Sequence, residues 1–353
     1  MSAGKLEPPP LGFGIVGAGM IASYHARAIA EAGGARLAGI ADTVEARARQ
    51  FAEKNDVPFW TTRIEELAAR PDIQVICITT PSGFHLDPAL AALRAGKHVI
   101  VEKPLEITVE RVDSMVQAAE AAGLRLAAIF QSRFGAGAKT VKSAIDSGRF
   151  GRLVLASAYV KWHRKPEYYQ GWKGTLAVDG GGALMNQGIH AVDLLQWFAG
   201  LPAEVFGWTA RRVHAKIEAE DTVAAALRFP GGALGAIEAT TAAYPGWSRR
   251  IEVCGERGSA ALEDDRIIRW EFQSPEPGDE AILKAAPDEK MGSGAAAPDQ
   301  ISHYGHLLQI RDMIESVRSD RPLAVDGRAA RNAVALIRAI YKSAEKRTPV
   351  ALG

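Results

Sequence analysis

Cysteine is scarce in this chain. Cys77 and Cys254 are the only two in 353 residues, too few and too far apart for a disulfide scaffold or a cysteine zinc site. Cys77 lies within the apolar run Val75-Ile76-Cys77-Ile78 and Cys254 within Ile251-Glu252-Val253-Cys254, so both sit in strand-like settings, and Cys77 reads as a small buried hydrophobe. Long hydrophobic runs are missing as well. The apolar stretches near Ile76, Ile100 and Ile129 stop well short of the ~20 residues that a membrane-spanning helix needs. Neither charge is in excess: 42 Lys and Arg offset 41 Asp and Glu, leaving a net charge of +1. That balance removes the electrostatic reason to expect nucleic acid or an anionic membrane surface as a partner. The first ten residues, with Pro8-Pro9-Pro10 and no apolar segment, do not read as a secretory signal, and a reduced, cytoplasmic protein is expected.

What is present is ample material for a core, with 47% hydrophobic and 24% charged residues. The length suits two domains. Up to about residue 131, short apolar runs alternate with amphipathic helical stretches. Strands are expected at Phe13–Val16, Leu37–Ala41, Val75–Ile78, His98–Val101 and Arg125–Phe130. Helices are expected near Ile21–Ala32, Thr43–Asn55, Pro88–Ala95 and Val109–Ala122. Strands that are apolar throughout and separated by helices imply a parallel sheet covered on both faces, a doubly wound α/β domain. Beyond residue 131 the punctuation changes. Pro230-Gly231-Gly232 joins Asp221–Phe229 to Ala233–Thr240, and Gly255-Glu256-Arg257-Gly258 joins Arg249–Cys254 to Ser259–Glu263. Strands linked by tight turns imply an antiparallel sheet in an α+β second domain. The expected division is therefore 1–131 and 132–353. Ser274–Gln300 reads as a long loop, and Tyr304–Ser319 and Gly327–Ala344 as closing helices.

The segment Gly17-x-Gly19-x-x-Ala22 ends the first strand and opens the first helix. Gly17 permits the tight turn, Gly19 lets backbone N–H groups approach a pyrophosphate, and Ala22 allows close helix–sheet packing. Alone, such a motif also describes a strand-to-helix turn without a ligand. Its place at the first βα junction supports dinucleotide binding. Asp42 closes the second strand, where an acid would meet a ribose hydroxyl, although an N-cap would look similar. A carboxylate there repels a 2′-phosphate, which favours NAD over NADP. Lys103 follows a buried strand at its carboxyl end, the edge at which open α/β sheets bind ligands.

Four segments taken together carry a wider resemblance: the glycine turn, Thr80-Pro81-Ser82-Gly83-Phe84-His85, Ala95 through Glu102-Lys103-Pro104, and Asp179-Gly180-Gly181-Gly182 through His190. The chain resembles the Gfo/Idh/MocA oxidoreductases over nearly its whole length. The resemblance implies an N-terminal Rossmann domain and a C-terminal domain with a large open, mainly antiparallel sheet. It implies hydride transfer between NAD(P) and a carbohydrate or polyol carbon. The cofactor set expected on this basis is Gly17, Gly19, Met20, Ile21, Asp42, Thr79, Thr80, Pro81, His85, Glu102, Lys103 and Gln131. Lys103 and His190 are the implied catalytic pair. Many dehydrogenases of the family carry Asp where this chain has Asn186, so a proton relay through that carboxylate is absent here. The run Asn186-Gln187-Gly188-Ile189-His190 resembles a subset that includes enzymes oxidising sugar nucleotides at C3.

These residue types suit the chemistry. On a helix, Asn186 and His190 at i and i+4 share a face, where the amide can hold a sugar hydroxyl while the imidazole takes its proton. Lys103 can steady a developing alkoxide. Asp193, one turn on, could orient His190 or simply cap a network. Arg164, Trp172 and Lys173 lie in an aromatic and basic run, Trp162–Gly174, that suits sugar recognition as well as it suits a solvated loop. His303 and His306 with Asp299 offer weak metal spacing, and no metal is expected because hydride transfer needs none. The expected substrate is a sugar, sugar acid or sugar nucleotide. Redox-neutral chemistry on tightly held NAD, or a non-catalytic NAD-binding regulator, are the competing readings. Val223, Ala225 and Leu227 alternate with Ala224, Ala226 and Arg228, leaving an Ala-rich outer face, and with the resemblance this implies a homodimer or homotetramer packed through the sheet.

Overall fold

The computed structural model describes residues 8–286, 291 and 302–352. Its first half builds β1 (Leu11–Val16), α1 (Met20–Glu31), β2 (Ala35–Ala41), α2 (Glu45–Lys54), β3 (Trp60–Thr61), α3 (Ile64–Ala68), β4 (Val75–Ile78), α4 (Leu86–Arg94), β5 (His98–Val101), α5 (Val109–Ala121) and β6 (Leu126–Ala128). The six strands pair in the order β3-β2-β1-β4-β5-β6, every pairing parallel. Strand β4 is buried at all four positions, as a sheet covered on both faces requires. The order reverses between β1 and β4, which opens a crevice at the carboxyl ends of those strands.

The second half contains α6 (Ala136–Asp146), β7 (Leu153–Lys161), α7 (Ile189–Ala199), β8 (Glu204–Ala210), β9 (Thr222–Arg228), β10 (Leu234–Thr240), β11 (Arg250–Gly255), β12 (Gly258–Glu263), β13 (Arg266–Phe272), α8 (Asp279–Lys284), α9 (Tyr304–Ser319), α10 (Gly327–Lys346) and β14 (Val350–Ala351). Its eight-stranded sheet runs β13-β12-β11-β7-β10-β9-β8-β14. All neighbours are antiparallel except β7 and β10, so the sheet is mixed with an antiparallel majority. Both expected hairpins form, β9 with β10 and β11 with β12.

One face of this sheet is the core. Val223, Ala225 and Leu227 are buried with Ile237, Ile251 and Val253, covered by α7 and α10. Helix α10 is started by Asp326, whose carboxylate accepts the Ala329 N–H at 2.8 Å, a cap worth about 1 kcal/mol. The other face carries Ala224 and Ala226 in the open, flanked by Trp208 (60% exposed) and Leu234 (53% exposed).

The segment expected as one loop, Ser274–Gln300, holds α8, which packs on edge strand β13. Asp279 of α8 anchors it with a two-pronged pair to Arg149 and a bond from the Trp270 indole. Much of the remainder of that segment, with Asp299, lies outside the described residues. Helix α9 leaves the second half and returns to the first. Its Ile310, Met313 and Ile314 are buried in one cluster with Phe13, Ile15 and Ile29. Among the described residues, no helix is long and apolar enough to cross a membrane.

Candidate active site

The crevice is built from strand ends. Gly17 takes a φ of +97°, a conformation that a side chain would strain, and turns the chain from β1 toward α1. Gly19 is the extended N-cap of α1 and has no side chain to bond the first-turn N–H groups of this twelve-residue helix. An added Cβ at Gly19 would meet nothing within 4 Å. Open space in front of free helical N–H groups fits a pyrophosphate. Asp42 braces the turn from the second strand: Oδ2 accepts from Ala18 N and Oδ1 from Val44 N, each at 2.8 Å. Thr79, buried, donates its hydroxyl to Gly17 O at 2.7 Å. Thr80 and Pro81 continue the rim, with the Thr80 hydroxyl on Phe84 O. His85 sits behind the rim, 1% exposed, with Nδ1 2.9 Å from Pro104 O and Nε2 2.9 Å from Thr80 O. It staples two loops together, with both ring nitrogens engaged within the protein.

Glu102 and Lys103 follow β5. Glu102 is buried, and its Oε1 accepts from His25 Nε2 of α1 at 2.9 Å and His306 Nε2 of α9 at 3.0 Å. Its Oε2 receives the Lys103 N–H at 3.2 Å. Burial opposes the carboxylate charge, but the two imidazoles hold Glu102 well below the usual carboxylate range. His25, Glu102 and His306 are side chains of a metal-binding kind, brought within 4.8 Å of one another. The sequence grouping was a different one, and His303 instead meets Glu31 at 2.9 Å. Neither His25 Nδ1 nor His306 Nδ1 has a hydrogen-bond partner, whereas metal-bound histidines have that second nitrogen held. The trio is two imidazoles donating to one carboxylate.

Lys103 reaches across to the second half. Its Nζ donates to the Asn186 backbone oxygen at 2.8 Å and to Asn186 Oδ1 at 3.2 Å. The segment that carries Asn186 departs from the expected α-helix. Residues Ala183–Gly188 form a π-helical turn, and regular α-helix begins at Ile189. The wider turn is held by Glu220, which accepts from Gly182 N, Leu184 N and the Tyr341 hydroxyl. A Cβ on Gly182 would stand 1.8 Å from Glu220 O, so only glycine fits there. Asn186 and His190 therefore do not stack as an i, i+4 pair of an α-helix, yet both line the cavity.

His190 packs edge-on against Phe130, with ring centroids 5.8 Å apart. Burial first, then the Lys103 and Arg249 charges, holds its imidazole well below the usual histidine value. Its Nδ1 is buried without a partner. Asp193 does not orient His190, because its carboxylate is taken by Arg133 and Gln196. Burial pulls the Lys103 ammonium down, opposed by the charges of Glu102 and Asp179.

Of the residues singled out in the sequence, Ile21, Glu102, Lys103, Gln131, Arg164, Asn186, His190 and His306 line this one cavity; Gly17, Gly19, Met20, Asp42, Thr79, Thr80, Pro81, His85, Trp172 and Lys173 lie outside its lining. Lys173 lies 3.9 Å from the centre of the Tyr168 ring, one layer back. Tyr168, Gln187 and Arg249 are added by the structure. Arg249 carries no local signal in Trp247-Ser248-Arg249-Arg250 and is brought in by the turn before β11.

Comparison with known proteins agrees with this arrangement. The family model described as "Oxidoreductase family, NAD-binding Rossmann fold" matches residues 11–130, and the Gfo/Idh/MocA C-terminal domain matches residues 138–261. The chain belongs to the Gfo/Idh/MocA oxidoreductase family. Within it, the WlbA dehydrogenase of Bordetella pertussis, solved with NADH and UDP-GlcNAcA, is 34% identical, with 98% of this chain and 99% of that one covered and a TM-score of 0.86. The WlbA dehydrogenase of Chromobacterium violaceum, solved with the same two ligands, is 32% identical over 99% and 97% of the chains, with a TM-score of 0.88. Myo-inositol 2-dehydrogenase of Thermotoga maritima is 26% identical, covering 96% of this chain and 98% of its own. The Gfo/Idh/MocA relatives named here are dehydrogenases of sugar and polyol compounds, and this chain is an NAD-binding oxidoreductase of the same family.

Proposed function

We propose that this protein oxidises a secondary alcohol of a sugar nucleotide, with NAD as the hydride acceptor, Lys103 steadying the reacting oxygen and His190 taking the hydroxyl proton. The observation that carries this reading is the meeting of Lys103, from the end of β5, with His190, from the start of α7, on one cavity beside the glycine turn. The substrate class is extended from the two full-length relatives that bind UDP-GlcNAcA. When bound, the nicotinamide supplies the hydride chemistry. The first turn of α1 would hold the pyrophosphate, and the Asp42 carboxylate the adenosine ribose, where it disfavours a 2′-phosphate. Met20, Ile21, Thr79, Thr80, Pro81 and Gln131 would form the walls.

A neutral imidazole is the form that can accept a proton, and the low pKa of His190 keeps it neutral at pH 7. Its Nδ1 is shielded, so Nε2 meets the substrate hydroxyl. The Lys103 ammonium donates toward the oxygen as the proton departs, stabilising the charge that develops there. Arg164 would bind an anionic group of the substrate. Residues 1–131 serve the cofactor and 132–353 the substrate and self-association. The Ala-rich outer face of the large sheet, with Trp208 and Leu234, would be covered by a second copy in a dimer or tetramer.

The test is NADH formation from NAD across a panel of sugars, sugar acids and UDP-sugars that includes UDP-GlcNAcA. Formation of a ketosugar nucleotide with stoichiometric NADH is expected. Substrate consumption without NADH accumulation would replace this reading with redox-neutral chemistry. No turnover on any member, with NAD bound, would make the protein a sensor.

A further inference from the structure

Asp179 stands just before the glycine triplet, seven residues ahead of Asn186, and is 1% exposed. Its Oδ2 accepts from Gly174 N at 2.8 Å, and its two oxygens accept from Asn186 Nδ2 at 2.7 and 3.0 Å. On its other side the Asn186 amide presents Oδ1 to Lys103 Nζ at 3.2 Å and to the Tyr168 hydroxyl at 3.4 Å. Both ends of the amide are thus engaged within the protein. It can sit only one way round, oxygen toward the ammonium and nitrogen toward the carboxylate. Asn186 is therefore a bridge, and a sugar hydroxyl would have to displace one of these bonds to reach it.

We propose that Asp179 is the positioning residue of this active site: acting through Asn186, it fixes the Lys103 ammonium at the cavity and provides its countercharge. The amide stands next to the lysine and the carboxylate one step behind, so the negative charge stays close without touching substrate. The inference rests on the reading of Lys103 given above. The charged and titratable groups facing Lys103 are Glu102 from its own strand end, Arg164 and Lys173 from the segment after β7, Asp179 from the loop before the π turn, and His190 from α7. Glu102 already serves two histidines and the Lys103 N–H. Asp179 adds its charge to that of Glu102 at Lys103, and it alone of the two also faces Lys173. Its charge opposes the downward pull of burial on the Lys103 ammonium.

The test is an exchange. Asp179→Asn removes the charge. The double variant Asp179→Asn/Asn186→Asp returns it one position closer, and every bond can be redrawn: Gly174 N–H onto the amide at 179, that amide onto the carboxylate at 186, and the carboxylate onto Lys103. Lys103 is labelled with acetic anhydride across pH in the NAD-bound protein and read by mass spectrometry, which requires no substrate. Turnover is followed on whichever panel member reacts. With Asp179→Asn, the labelling midpoint should fall by about one pH unit or more, so that Lys103 labels roughly tenfold faster on the steep limb. Turnover should fall about a hundredfold at near-constant NADH affinity. The exchange should restore both. An unchanged midpoint with Asp179→Asn overturns the proposal, as does an exchange variant that folds but restores neither property. Loss of folding in both variants overturns it too, because the carboxylate would then be needed for structure at its own position. Should Lys103→Ala keep full turnover, the catalytic reading fails instead, and the labelling result still reports on Asp179.

Discussion

Arg133 and Asp193 meet in a buried two-pronged ion pair, with Nε to Oδ2 at 2.8 Å and Nη2 to Oδ1 at 2.6 Å. Arg133 stands where the parallel half ends, and Asp193 lies one turn beyond His190 on α7. The pair fastens the helix of the proposed base to the turn that follows the parallel half. Asp193→Ala leaves a buried guanidinium without its counter-ion, and a loss of about 3–5 kcal/mol is expected in denaturant unfolding. Replacing both residues, by Met and Leu, should cost less than the single change. A single variant within about 1 kcal/mol of the parent would contradict this.

Lys103→Ala should lower turnover by about 10²–10³ while NADH affinity, measured by fluorescence titration, stays within a few-fold. His190→Ala should lose about 10²–10⁴ and fall further than Asn186→Ala, since Asn186 does not touch the proton. Because burial and neighbouring cations depress the His190 pKa, the acid limb of kcat/KM should lie below 6.5. A limb above that value would assign it to another group.

Asp42→Ala should narrow the difference between NAD(H) and NADP(H) binding in titration calorimetry. The parent should prefer NAD(H), and equal or tighter NADP(H) binding would remove the role given to the carboxylate.

Acid should weaken the fold well before the carboxylates titrate. His25 and His85 are buried, and burial holds both below the ordinary histidine value. Unfolding releases them to titrate near 6.5, so the stability they contribute is present above that pH and lost as pH falls through it. Each can cost up to about 1.4 kcal/mol per pH unit below 6.5. The urea midpoint should therefore drop between pH 7.5 and 6. Asp179, Asp193 and Glu220 are raised by burial and act in the opposite sense at lower pH. A flat midpoint across this interval would contradict the assignment.

The outer sheet face should bury itself against a second copy. Light scattering at micromolar concentration is expected to give at least a dimer mass, and Ala226→Arg, near Trp208 and Leu234, should shift it toward monomer. A monomer mass for the parent would end this expectation.

The parallel half was legible because fully apolar strands such as Val75–Ile78 and the glycine turn are local signals. The hairpins were legible from Pro230-Gly231-Gly232 and Gly255 through Gly258. Strand β8 escaped notice because Gly207 interrupts its pattern, and the reason for that glycine is distant: a Cβ there would stand 2.9 Å from Ile340 Cγ2 of α10. The π turn was hidden for a similar reason. Its extra width comes from Glu220 and Tyr341, far along the chain, and not from the residues of the turn. The cavity residues next to recognisable motifs, Lys103, Asn186 and His190, were found. Arg249 and the Glu102–His25–His306 trio depend on which helices and turns meet, and that is a tertiary fact.

The return of α9 to the first half has a consequence for synthesis. Ile310 and Met313 fill the layer over Phe13 and Ile15, yet they are made more than 170 residues after the last strand of that sheet. At about 5–20 residues per second, a nascent chain carries an uncovered apolar groove for on the order of ten seconds or more. During that interval the sheet is complete but its lid has not emerged from the ribosome. A trigger-factor-like holdase would find its target there, and a fragment ending near residue 131 should be captured by chaperones or aggregate.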